Sequence, residues 1–351
     1  MHTAYVPADQ FVADTAQRWG ADALQALQAH APDAASLGVD PDVYRRVVAK
    51  LGAEPVEDLR VDFEDGYGGR PDDEEDADAS RAGALFAGTG PVRLGVRIKS
   101  FEAITRERSL RTLDLLLSGC ERLPDDFVVT LPKVTGPEQV LAMREVLDGL
   151  GPECARVRFE VQIETPHAVE AMTQIADAVG ERCVGLHYGT YDYSAALGVA
   201  AAHQSLDHPV ADHAKSVMQV AAASRGLDVV DGSSNVLPVG DTTAVRSAWQ
   251  LHGGLVRRSL VRGIYQGWDM HPAQLVSRYA AVFSFYREGL QATAQRLRAY
   301  VEQVSGGVLD EPATARAMTG YLLRGLDCGA LDDVEVTEAT GLDRAALLAL
   351  S

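Results

Sequence analysis

A chain of 351 residues admits one large domain or two ordinary ones, and 46% hydrophobic with 23% charged residues is the balance of a globular protein with a sizeable core. A net charge of −18 argues against a nucleic-acid or anionic-membrane partner, since both demand basic surface, yet leaves small anionic substrates open because one local arginine can override the mean field. The cysteines (Cys120, Cys154, Cys183, Cys328) form no CxxC pair and no zinc spacing, no run is apolar enough to span a membrane, and no signal-peptide order opens the chain, so reduced thiols and a cytoplasmic location are expected.

Thr3–Pro7 is a β-favouring run closed by proline and reads as the first strand. A helical pattern follows over 8–29 (Phe11, Val12, Leu24, Leu27), and another after Pro41 (Val43, Val47, Val48, Leu51). The second strand, from Asp58, runs into glycines at 66–69 and carries Asp62, Glu64 and Asp65 at its end. Acids are disfavoured inside strands, so three together point to a polar site; Asp65 alone reads equally well as a helix N-cap. The acidic run Asp72–Asp78 reads as a solvated loop or a helix start.

Val92–Lys99 is the third strand and bears Arg97, whose planar fork can clamp a carboxylate ligand or pair with Asp62 or Glu64. A helix is expected over 109–118. Phe127–Lys133 is the fourth strand, closed by Pro132; Lys133 either adds positive charge to the same rim or lies along the surface. After a helix over 137–150 come two similar runs, Val157–Pro166 and Cys183–Asp192, each ending near a carboxylate and separated by about one helix. Consecutive parallel strands end on the same side, which sets Glu164 and Asp192 side by side at one rim. Two carboxylates there suit Mg²⁺, which takes oxygen ligands and needs only one or two from protein. Taken singly, an acid after a strand is most simply a surface residue.

His203, His208 and His213 are five apart and do not share a helix face, so no histidine metal site is expected there. A helix over 213–225 stops at Gly226, and Leu227–Val230 is the seventh strand. A helix over 243–256 precedes an eighth strand at Val261–Tyr265, which leads into Gly267–Pro272. One long amphipathic helix spans 273–300, and 310–351 reads as two or three short helices. The last of these faintly resembles a helix-turn-helix but has little basic charge, and reads better as a packing or oligomer arm, hence a homo-oligomer. Eight strand–helix units with polar residues at strand ends argue for an α/β (β/α)8 TIM barrel over 1–280 with a C-terminal helical extension over 281–351. A doubly wound sheet is the alternative, but no GxGxxG loop follows the first strand.

Together these motifs resemble the HpcH/HpaI aldolase and citrate lyase β-subunit family of the pyruvate/phosphoenolpyruvate barrel superfamily. Asp62-Phe-Glu-Asp65 resembles its D-[LF]-E-D motif, Gly95-Val-Arg-Ile98 its arginine strand, Leu131-Pro-Lys133 its L-P-K motif and Ile163-Glu-Thr165 its metal strand. Gly189–Gly198 resembles G-x-x-D…LG, and Gly226–Asp231 and His271–Gln274 complete a set of seven in family order over residues 1–280. The resemblance implies Mg²⁺, or another divalent cation such as Mn²⁺, on Glu164 and Asp192, with Arg97 holding a 2-oxo or 3-hydroxy acid. It also implies Glu64 and Asp65 near Arg97 and the metal-bound waters, and main-chain N–H groups around Gly189 and Thr190 facing a substrate carboxylate. The implied activity is carbon–carbon lyase or aldolase chemistry through a metal-stabilised enolate, with a general base left open among Asp65, a metal-bound water and a residue of another subunit.

The chain departs from the family in two places. Members that use coenzyme A begin R-S-x-L-F-x-P-G, where this chain has His2-Thr-Ala-Tyr-Val-Pro-Ala8, and HpcH-type aldolases carry a histidine where this chain has Tyr67 and Gly68. If the acidic run after the second strand borders the mouth, it repels the phosphates of a CoA thioester and favours a small carboxylic acid instead. The competing readings are a citrate lyase β-subunit-like or malyl-CoA lyase-like acyl-CoA lyase, a phosphoenolpyruvate-using enzyme that would lean on Lys133 and Lys99, and an inactive binding subunit.

Overall fold

A computed structural model describes residues 2–90, 92–302 and 311–351. Among them, eight parallel strands close into a barrel in sequence order: β1 (His2–Pro7), β2 (Asp58–Asp62), β3 (Arg93–Arg97), β4 (Val128–Leu131), β5 (Arg158–Ile163), β6 (Cys183–Tyr188), β7 (Asp228–Asp231) and β8 (Gln266–Asp269). β1 pairs with both β2 and β8, which closes the ring. Helices alternate with the strands, and those after β8 form a C-terminal extension. This is the TIM-barrel architecture expected from the spacing of the units.

Alternation along each strand sorts its side chains between two faces. On β2 and β5 one face is apolar (Leu59, Val61, Phe63; Phe159, Val161, Ile163), and all six side chains are fully buried. The other face is polar at every second position: Asp58, Arg60, Asp62, Glu64 on and after β2, and Glu160, Gln162, Glu164 on and after β5. The polar set points into the barrel, an interior that branched aliphatic residues fill in most such barrels. Gly95 on β3 makes room for it: a Cβ there would meet the Val128 carbonyl oxygen at 2.2 Å and Arg60 Cδ at 2.8 Å.

The chain falls into two compact units. The first, Met1–Gly20, Glu54–Val236 and Val261–Pro272, contains all eight strands. The second, Ala21–Ala53, Leu237–Leu260 and Ala273–Ser351, is helical. Within it the long helix Gln274–Val301 packs against Pro41–Ala53, Pro312–Asp327 and Asp333–Thr340. Arg46 and Arg287 both pair with Asp42 and Glu335, and Trp249 Nε1 donates to the Ala273 carbonyl at 2.7 Å. The 310–351 stretch, whose first residue lies outside the described ones, folds as three helices, the last two joined through Gly341 at φ 76°.

Two expected elements lie elsewhere. Residues 8–29 do not start as an α-helix: a 3-10 turn covers Ala8–Gln10 and the α-helix runs Thr15–His30. The eighth strand is not Val261–Tyr265 but Gln266–Asp269, because the preceding helix continues to Val261 and the chain turns at Gly263, φ 80°.

Candidate active site

The C-terminal ends of β1, β2, β3, β5, β6 and β8 surround a cavity of about 230 Å³. Its polar side is made by Asp62, Asp65, Arg97, Gln162, Glu164 and Asp192, and Tyr5, Pro7, Tyr191, Trp268 and Met270 form an apolar wall. Tyr5 and Trp268 pack ring to ring at 4.9 Å, and the Arg97 guanidinium lies over both rings.

Each polar group is fixed by local chemistry. Asp62 ends β2 and bends the chain after it, accepting the Glu64 and Gly66 N–H groups at 3.0 Å each. The same carboxylate takes a two-pronged ion pair from Arg97, Nε to Oδ1 at 2.7 Å and Nη2 to Oδ2 at 2.6 Å, the fork geometry for which arginine is suited. Arg97 Nη1 turns toward Gln162 Oε1 (3.4 Å) and Glu64 Oε2 (3.7 Å). The guanidinium is therefore paired within the barrel, and the ion pair weighed from sequence is present. Burial works against its charge, but Asp62 and Glu64 keep it cationic.

Glu164 follows β5 directly. Thr165 caps the next helix by accepting the Ala168 N–H at 3.1 Å, and Pro166 occupies that helix's first position, so strand passes to helix in two residues. The Glu164 carboxylate is 2% exposed and accepts the Lys133 N–H at 2.8 Å and Gln162 Nε2 at 2.7 Å. Burial, reinforced by Glu64, pushes its carboxyl up to about 8. Glycine at 189 is required here, since a Cβ would meet Glu164 Oε2 at 2.3 Å.

Asp192 does not end a strand. β6 stops at Tyr188, and Asp192 lies in the first turn of the helix Thr190–Ala196 with 47% of its side chain exposed. It still reaches the cavity and joins Glu164 through Lys133, whose Nζ lies 3.2 Å from Asp192, 2.6 Å from Glu64 and 2.9 Å from Asp65. Lys133 is thus a paired rim cation and not a surface lysine. The Gly189 N–H donates to the Ile163 carbonyl at 3.0 Å, which commits it to the barrel. Thr190 lines the cavity, and its buried hydroxyl has no hydrogen-bond partner among the described residues. Every residue singled out from sequence (Glu64, Asp65, Arg97, Lys133, Glu164, Gly189, Thr190, Asp192) lies at this one rim. Gln162, Tyr5 and Trp268 were missed, although for Gln162 the polar alternation on β5 was a usable signal.

The acidic run is a helix start, one of the two readings its sequence allows. It forms the first turns of the helix Asp72–Leu85, where Glu75 pairs with Lys99 (2.9 Å) and Arg108 (3.3 Å), and Asp76 with Arg108 and Arg111 (2.5 Å each). Repulsion of a phosphate-bearing ligand, expected if the run borders the mouth, loses much of its force once these arginines are in place. His208 caps the helix Pro209–Ala223, its ring nitrogen accepting the Val210 N–H at 3.3 Å.

The donor set suits a hard divalent cation. Five acids (Asp62, Glu64, Asp65, Glu164, Asp192) meet two cations, Arg97 and Lys133, so oxygen donors outnumber the cations that could occupy them. Among the described residues no group of three or more His, Cys, Asp or Glu side chains is arranged to hold a metal.

The eight-stranded parallel barrel is a fold shared with solved citrate lyase β subunits. A citrate lyase from Burkholderia xenovorans LB400 matches with a TM-score of 0.64 at 21% identity, covering 96% of this chain and 94% of that one. CitE from Mycobacterium tuberculosis, in complex with magnesium, acetoacetate and coenzyme A, matches with a TM-score of 0.57 at 20% identity over 92% and 97%. The citrate lyase β subunit of M. tuberculosis complexed with oxaloacetate and magnesium gives 0.50 at 19% over 80% and 96%. At these identities the likeness is one of fold. In sequence, residues 1–351 match the model of DUF6986, a domain of unknown function, and the chain belongs to that family. No curated protein matches it in sequence. No helix among the described residues is long and apolar enough to cross a membrane.

Proposed function

We propose that this chain is a divalent-cation-dependent carbon–carbon lyase or aldolase acting on a small 2-oxo or 3-hydroxy carboxylic acid. The observation that carries the reading is Glu164: a buried carboxylate at a strand end, hydrogen-bonded by an amide N–H and a glutamine, facing a cavity of about 230 Å³ that it shares with Asp192 and Arg97. Glu164 and Asp192 would hold Mg²⁺ or Mn²⁺. When bound, the cation would polarise a carbonyl oxygen and offset the charge that builds on it during carbon–carbon cleavage.

The chain's own groups do the rest. Arg97, locked by Asp62, brings fixed positive charge to the cavity floor, where a substrate carboxylate would lie. Thr190 borders the same space with a hydroxyl unsatisfied among the described residues. Tyr5, Trp268 and Met270 shield one side from water, which strengthens each polar contact. Glu64 and Asp65, linked by the Asp65 N–H to Glu64 Oε2 at 2.8 Å, would be the acids nearest the reaction, and Asp65, a metal-bound water or a residue of another subunit would act as its base. The structural relatives bound to magnesium with oxaloacetate, or with acetoacetate and coenzyme A, support the ligand class.

An acyl-CoA lyase is the second reading, and the pairing of Glu75 and Asp76 with Lys99, Arg108 and Arg111 favours keeping it. Thermal stabilisation by pyruvate, oxaloacetate, glyoxylate, malate and CoA thioesters, each with and without Mg²⁺, separates the two, because a ligand of the native state raises its stability by mass action. A Mg²⁺-dependent shift with an unesterified acid, followed by its turnover, is expected. A shift with thioesters alone would move the protein to the acyl-CoA lyases, and no shift with any would leave a binding subunit.

A further inference from the structure

Lys133 touches both carboxylates assigned to the cation, by two different groups. It follows β4 with φ 51°, a left-handed conformation that residues with a Cβ seldom adopt. That turn aims its N–H at Glu164 Oε1 (2.8 Å) and sends its side chain to Asp192 Oδ2 (3.2 Å). The ammonium is completed by Glu64 at 2.6 Å and Asp65 at 2.9 Å.

We propose that Lys133 is an exchangeable counter-ion of the metal seat: its ammonium pairs with Asp192 until a divalent cation takes that carboxylate, so entry of the cation requires Lys133 to let Asp192 go. The inference rests on the assignment of Glu164 and Asp192 as metal ligands. An ammonium and a divalent cation on one carboxylate oxygen repel each other at close range, where screening by water is weakest. Exchange is feasible because the partners differ in freedom. Glu64 is buried and keeps the ammonium, whereas Asp192 is 47% exposed in a helix's first turn and can swing between the two cations. The N–H of Lys133 stays on Glu164 throughout, so the residue orders one ligand while it competes for the other. A lysine that only positioned Asp192 would instead aid the cation.

Two measurements test this. Lys133→Met keeps the stem and removes the charge; Mn²⁺ titration followed by electron paramagnetic resonance is expected to show binding about tenfold tighter than in the parent. The chain has four lysines, Lys50, Lys99, Lys133 and Lys215, so acylation of the unmutated protein by an amine reagent can be read residue by residue. Mg²⁺ is expected to speed acylation of Lys133 severalfold and to leave Lys50 unchanged. This arm does not depend on the variant folding. Equal or weaker Mn²⁺ binding by the variant, or an unaltered Lys133 acylation rate in protein that binds Mn²⁺, would overturn the exchange while leaving the metal assignment intact. Absence of Mn²⁺ binding in parent and variant alike would overturn the metal assignment and the exchange with it.

Discussion

Glu160 and Glu164 stand four residues apart along β5 and its end, both are 2% exposed, and their chemistry is opposite. Glu160 lies inside the barrel and receives a two-pronged ion pair from Arg60 (2.9 Å to each oxygen), His187 Nε2 at 3.0 Å and the Thr130 hydroxyl at 2.5 Å. Asp58 completes that network on Arg60. Burial opposes ionisation of Glu160, yet Arg60 and His187 outweigh it and hold the carboxyl well below its usual range. Glu164 has neutral donors in place of those cations, and burial prevails. A buried carboxylate whose charge is matched is scaffold; one whose charge is left unmatched beside a cavity is prepared for a ligand.

Breaking the matched member should have the largest effect. Arg60→Met strands Glu160 and Asp58 without their cation, and a loss of about 3–5 kcal/mol is expected in urea unfolding, as for other broken buried pairs. Next comes the cradle of the unmatched member. Gly189→Ala forces a Cβ against Glu164 Oε2, for which about 1–3 kcal/mol of overpacking and about a tenfold loss in Mn²⁺ affinity are expected by unfolding and titration.

Specific to the contrast is the pH dependence of the metal-free protein. A carboxyl raised from 4.5 to about 8 in the folded state binds a proton that the unfolded chain has already lost, so stability declines as pH rises from about 4.5 toward 8. Glu160, depressed on folding, contributes stability that is present above its unfolded value and lost as pH falls below it. Glu164→Gln should flatten the decline between about pH 4.5 and 8 and leave the acid limb of Glu160 in place, as measured by urea unfolding across the pH range.

The legibility of this molecule follows the same division. Most strands declare themselves through β-branched runs such as Val128–Leu131, and the barrel followed from their number and spacing. β8 was misplaced because Gln-Gly-Trp-Asp contains no β-branched residue, while the more β-like Val261 belongs to the end of a 20-residue helix. The rim acids could be read as strand-end residues. Asp192 could be read only in part, since nothing local distinguishes a strand end from the first turn of the next helix four residues on. The interior network stayed hidden because Arg60, Glu160 and His187 come from three separate strands and meet only once the barrel closes. The alternation of polar residues on β2 and β5 was its one trace. The pairing of the acidic run with Arg108 and Arg111 likewise depends on two helices, Asp72–Leu85 and Arg106–Gly119, coming together.

The central claim is that Glu164 is a carboxylate kept for a divalent cation. The most direct measurement is the thermal stabilisation of parent and Glu164→Gln by Mg²⁺, titrated at one pH with the same protein concentration. The account predicts a saturable rise in Tm for the parent and none for the variant, whose metal-free fold remains at least as stable because a neutral amide replaces a poorly compensated buried acid. An equal rise in both proteins would contradict it and place the cation elsewhere.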